Sequence, residues 1–112
     1  MSVIKFPLQI SFRNVAHSDT AEQLVIKKAS RLERFSQQII SCRVVLGLPH
    51  RHHHHGNQYS VRIDISIPGK EFVVTHDSTD EKEHEDLRLA LVDAFQTAER
   101  QLDEYVELKR GA

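Results

Sequence analysis

Apolar and polar side chains alternate through Leu8-Gln9-Ile10-Ser11-Phe12-Arg13, the two-residue period of a strand with one covered face. Beyond a connection at 14–17 the period changes. Ser18 is placed to cap a helix, and Asp19 and Glu22 set carboxylates in its first turn, where the helix dipole favours them. Ala21, Leu24, Val25, Ala29, Leu32 and Phe35 then return every three or four positions. This spacing predicts an amphipathic helix over 19–36 with Lys27, Lys28, Arg31 and Arg34 on its outer face. Residues 39–46 are rich in β-branched types and too few for a second helix, so they read as a strand. Ile40, Cys42, Val44 and Leu46 are expected inward and Arg43 outward, with Pro49 ending the segment.

The clearest alternation follows. Tyr59, Val61, Ile63, Ile65 and Ile67 form one side of a long strand and Ser60, Arg62, Asp64 and Ser66 the other. Pro68-Gly69 supplies a tight turn, and 71–76 returns as a further strand. An acidic stretch over 77–86 leads into a helix expected over 84–108, marked by Leu87, Leu91, Ala94, Phe95, Ala98, Leu102 and Tyr105. The order is β-α-β-β-β-α. Its expected fold class is α+β, a four-stranded sheet with both helices packed on one face. The front strand–helix–strand unit is expected to set the first strand parallel to its neighbour through a right-handed crossover. The opposite sheet face, with Arg43, Ser60, Arg62 and Ser66, is left in water.

A chain of 112 residues has room for one core, and no linker or repeat divides it, so 1–112 reads as one domain. No apolar run approaches the ~18–20 residues of a membrane helix. Lys5 and Pro7 interrupt the start before a signal-peptide core forms. The lone Cys42 makes neither an internal disulfide nor a cysteine zinc cage, which fits a reducing, cytoplasmic setting. The net charge of −1 conceals an asymmetry: residues 1–62 carry +6 and residues 63–112 carry −7. Such a chain can turn a basic side toward a polyanion.

Candidate chemistry is sparse. The internal run His50-Arg51-His52-His53-His54-His55 has neither an acidic residue nor a cysteine close by in sequence to complete a metal site. An exposed polar loop is its simplest reading. Phosphate contact through Arg51 and partly protonated imidazoles, or a metal-responsive role, remain open. Cys42 falls on the expected core face, where a thiol is packing. Glu83, Glu85 and Asp86, with His84, are explained by the dipole of the second helix. Phosphate-loop, nucleophile-elbow and zinc-protease motifs are missing from the sequence. The residues therefore point to a non-enzyme without cofactor, resident metal or small-molecule substrate. The stronger lead is the basic group Lys27, Lys28, Arg31 and Arg34, with Arg43 and Arg62 on the open sheet face, which can neutralise phosphates.

Several segments carry a resemblance. They are Arg31-Leu32-Glu33-Arg34-Phe35, Cys42-Arg43-Val44-Val45-Leu46, Tyr59-Ser60-Val61-Arg62-Ile63 and Ile67-Pro68-Gly69-Lys70-Glu71 in the first part. His84-Glu85-Asp86-Leu87, then Ala90, Asp93, Ala94 and Glu99-Arg100-Gln101-Leu102, follow in the second. In order and spacing the chain resembles the ribosome hibernation promoting factor and ribosome-associated inhibitor family, also labelled sigma-54 modulation proteins, in its short form. The resemblance implies binding to the small ribosomal subunit and its RNA, in the channel of messenger and transfer RNA, during stress or stationary phase. It implies contacts from Lys27, Lys28, Arg31, Arg34, Arg43, Arg62 and Arg100, to which the loop adds Arg51. Asp103, Glu104 and Glu107 depart from the basic second helix usual in the family. A protein-interaction or regulatory module using that acidic helix is the alternative. No membrane partner is expected, and the sequence leaves the oligomeric state open.

Overall fold

The structure is a computed structural model and describes residues 4–35, 38–47, 60–77 and 87–111. Strand β1 is Leu8–Arg13 and helix α1 is Asp19–Arg31, tightened at its end into a 3-10 turn, Leu32–Arg34. Strands β2 (Ser41–Gly47), β3 (Ser60–Ile67) and β4 (Lys70–Asp77) precede helix α2 (Leu87–Gly111). The α+β class and the β-α-β-β-β-α order expected from the pattern are those observed.

The four strands lie in the order β1-β2-β3-β4. β1 runs parallel to β2, which needs a crossover, and α1 supplies it. The other two pairings are antiparallel. Leu8, Ile10 and Phe12 stand opposite Cys42, Val44 and Leu46, so one parity of every strand faces the helices. On that side Val44, Leu46, Val61, Ile63 and Ile65 are fully buried beneath Val25, Ala29 and Leu32 of α1 and Leu91, Phe95 and Leu102 of α2. Removing this surface from water is what holds the helices to the sheet.

Two glycines are required by geometry. Gly47 pairs with Arg13 across the parallel seam, and a Cβ there would stand 2.4 Å from the Arg13 carbonyl oxygen. Gly69 has φ 79°, the conformation that the second central residue of a type II turn needs, with Pro68 fixing the first.

Ile40 departs from expectation. It precedes the paired part of β2 and is 55% exposed, although its N–H donates to Ser66 O at 2.7 Å. Strict alternation governs side chains only where both edges of the strand are held to the pleat. None of the described helices is long and apolar enough to cross a membrane.

Candidate nucleic-acid interface

Helix α1 is positioned from its first turn. Ser18 accepts a hydrogen bond from the Ala21 amide through Oγ at 3.2 Å, and Glu22 N–H donates to Ser18 O at 2.9 Å. With Val25, Ala29 and Leu32 turned into the core, the 3.6-residue period carries Lys27, Arg31 and Arg34 around to the outer flank. Lys27 and Arg34 are exposed there, while Lys28 and Arg31 are half-buried.

Arg31 does not simply face solvent. It reaches across to α2, where its Nε lies 3.9 Å from Glu99 Oε2 and has no hydrogen-bond partner among the described residues. At one end of this helix pair Lys27 borders a groove of about 670 Å³ together with Arg88, over the apolar floor of Leu24, Leu87 and Leu91. At the other end Arg34 borders a cleft of about 720 Å³ together with Lys109 and Arg110. The basic flank of α1 is therefore extended at both ends by cations of α2. Arg100 does not join it. It is exposed on another strip of α2, interspersed at helical spacing with the exposed carboxylates Asp93, Asp103, Glu104 and Glu107.

Arg43 and Arg62 occupy the open face of the sheet, with the full thickness of the sheet between them and α1. Register places Gln9, Arg43, Asp64 and Val73 in one row across the strands and Ser11, Val45, Arg62 and Thr75 in the next. Arg62 Nε donates to Asp64 Oδ1 at 3.0 Å. Asp64 is itself directly across from Arg43 in register, so the carboxylate bound by Arg62 stands in the same row as the other sheet arginine. Of the residues expected to meet RNA, the structure thus gathers Lys27, Lys28, Arg31 and Arg34, holds Arg43 and Arg62 on the reverse side, and leaves Arg100 apart. Arg51 and the histidine run lie outside the described residues.

Sequence reasoning missed three neighbours of the α1 set. Arg88, Lys109 and Arg110 are hidden in the sequence by the −7 that residues 63–112 carry together, but they lie at the two ends of α2, where they border the grooves beside α1. Arg13 was also missed. It is exposed at the outward-facing end of β1, a position the alternation of 8–13 already marked.

Among the described residues, two groups titrate away from their ordinary values. The Cys42 thiol is pushed up to about 12, first by burial and then by the negative charge of Asp64, so it is a packing group and not a nucleophile. His17 is raised, chiefly by its hydrogen bond to Glu22 at 2.7 Å; desolvation opposes this, and the charges of Glu22 and then Asp19 add to the rise. Among the described residues no three His, Cys, Asp or Glu side chains gather as a metal site requires.

The family described as Sigma 54 modulation protein / S30EA ribosomal protein matches residues 8–110. The chain belongs to this family. Its members are ribosome-associated modulation proteins. Among solved structures, the fold is similar to the N-terminal domain of Protein Y from Thermus thermophilus. That match has a TM-score of 0.68 and 24% identity, over 87% of this chain and 94% of that one. It is also similar to a ribosomal subunit interface protein from Coxiella burnetii, with a TM-score of 0.66 and 17% identity, over 89% and 97% of the two chains. At such identities these likenesses establish the fold. Comparison with curated proteins finds no match.

Proposed function

We propose that this protein is a non-catalytic, cytoplasmic ribosome-binding modulator of translation that contacts small-subunit RNA and occupies the channel of messenger and transfer RNA in idle ribosomes. The observation that carries the reading is the row of cations along α1, Lys27, Lys28, Arg31 and Arg34, lengthened by Arg88, Lys109 and Arg110 at the helix ends. Family membership over 8–110 supports the ribosome as the partner. A single Thermus or Coxiella neighbour would not carry it, since those likenesses speak for the fold.

The mechanism needs only occlusion. A rigid sheet with two helices fills space, and the cations hold it by exchanging condensed counterions for protein charge at the phosphates. Arg43 and Arg62 then serve a second surface of the same partner. The acidic strip of α2 lies on the exposed side of that helix, off the open sheet face, and is left for solvent or a protein.

Co-sedimentation with purified small subunits at two salt concentrations tests this. Binding is expected to fall steeply with salt, each phosphate contact adding ~0.7–0.9 to the logarithmic slope. Reversal of Lys27, Lys28, Arg31 and Arg34 to glutamate should abolish it. Association that survives those changes would remove the RNA reading and favour a protein contact through α2.

A further inference from the structure

The cleft between the end of α1, the β3–β4 turn and the end of α2 has a composition that phosphate contact alone does not call for. Its walls combine Arg34, Lys109 and Arg110 with Phe35, Tyr105 and the ring of Pro68. Glu33, the sole carboxylate lining it among the described residues, is engaged by the backbone amide of Lys5 at 3.1 Å. Both helices direct their C-terminal ends here, each equivalent to roughly half a negative charge, which would repel an anion. Three cations outweigh that, and the cleft stays net positive.

The aromatic wall is held in place. The Tyr105 and Phe72 rings stand nearly perpendicular, with centroids 5.5 Å apart, and the ammonium of Lys109 sits 5.6 Å from the Tyr105 centroid. That ring is therefore anchored on the core through Phe72, and a cation already stands beside its aromatic system. Phe35 is half-buried, so part of its ring remains accessible beside Arg34. The volume of about 720 Å³ is in the range of small-molecule sites and accommodates a planar base with its sugar and phosphate.

We infer that this cleft binds a ribonucleotide, with the base against the Phe35 and Tyr105 side and the phosphate between Arg34, Lys109 and Arg110. The inference rests on the RNA-binding reading for its preferred source, an unstacked nucleotide of a bound strand, since splayed bases are commonly held by aromatic rings beside cations. A free mononucleotide offers the same chemistry, and the experiment separates the two.

The probes are adenosine, adenosine 5′-monophosphate and the single-stranded hexanucleotide of adenylate. Each is titrated into the intact protein and followed by amide chemical shifts. The expected result is saturable shifts at Arg34, Phe35, Val106 and Lys109 with both phosphorylated probes and at least tenfold weaker binding of adenosine. Tighter binding of the hexanucleotide assigns the site to RNA, and equal affinity assigns it to free nucleotide. R34Q and K109Q should each weaken either probe by about tenfold, the loss expected for one charge-assisted hydrogen bond. Tyr105→Phe, which keeps the packing on Phe72, should leave affinity within about twofold, since base stacking uses the ring and not the hydroxyl. Shifts confined to α1 and the sheet, or equal binding of adenosine and its monophosphate, would overturn the assignment. Small-subunit co-sedimentation of R34Q and K109Q is run alongside. If they still pellet with subunits but show no nucleotide binding loss, the cleft fails while the broader reading stands.

Discussion

Arg31 of α1 and Glu99 of α2 lie 3.9 Å apart, Nε to Oε2, across the seam between the two helices. The pair is too long for a hydrogen bond, and although the Arg31 side chain is 42% exposed, its Nε is buried and Glu99 is only 14% exposed, so the attraction is only partly screened. It tethers the side chain without saturating it.

Glu99→Gln follows from that pair. The substitution removes an internal competitor for the Arg31 guanidinium, so the variant is expected to bind small subunits several-fold tighter with a steeper salt dependence. Its melting temperature should move little, since the 3.9 Å pair has no hydrogen bond to lose and Gln keeps the shape of the side chain. Weaker binding in a sedimentation assay would show that Glu99 orients Arg31 instead of competing for it.

Gly47→Ala tests the parallel seam. The added methyl meets the Arg13 carbonyl, a backbone atom that moves only if β1 moves. A loss of roughly 1–3 kcal/mol is expected in urea unfolding, with the amides of 8–13 exchanging faster than those of β3. A neutral result would mean that β1 can slide.

Phe95→Ala removes a fully buried ring from the centre of the helix layer. The expected cost is about 3–5 kcal/mol by denaturant unfolding. For a domain of this size that is a large part of the total stability.

Cys42 should behave as a fold reporter. With its thiol raised to about 12 by burial and by Asp64, labelling by a thiol reagent at neutral pH is expected only in the unfolded state. Stopped labelling in native buffer, compared with rapid labelling in denaturant, checks this.

His17 gives a signed pH dependence. Its pKa is raised in the folded protein, first by the hydrogen bond to Glu22, so the proton is held more tightly folded than unfolded. The associated stability is fully present below the unfolded value near 6.5 and is lost as pH rises through the higher folded value. The difference in melting temperature between the wild type and His17→Gln should shrink across that window. A difference independent of pH would assign His17 a packing role against Phe12, whose ring lies 4.9 Å away.

Most of the fold was legible because one parity of each strand is apolar. Val61, Ile63, Ile65 and Ile67 cannot face water together, and that fixes β3 and the side on which the helices sit. Ile40 was misjudged because alternation says nothing about where pairing stops. The α1 helix was expected to run to 36 in regular form, whereas it tightens into a 3-10 turn at Leu32–Arg34, a detail of end geometry that periodicity does not carry. The candidate site was legible only in part. Lys27, Lys28, Arg31 and Arg34 were found by helical spacing, but the contact of Arg31 with Glu99 and the meeting of Arg34 with Lys109 and Arg110 join residues more than sixty positions apart. No local pattern encodes such a contact. The −7 of residues 63–112 pools the cations at the ends of α2 with the carboxylates around them, and so conceals them.

The placement of Arg43 and Arg62 on the reverse of the sheet has a geometric consequence. A flat lattice of phosphates meets the α1 row or the sheet arginines, never both. To engage all of them, a partner must present opposing walls, which makes a crevice in a folded polyanion a better counterpart than the side of an isolated duplex.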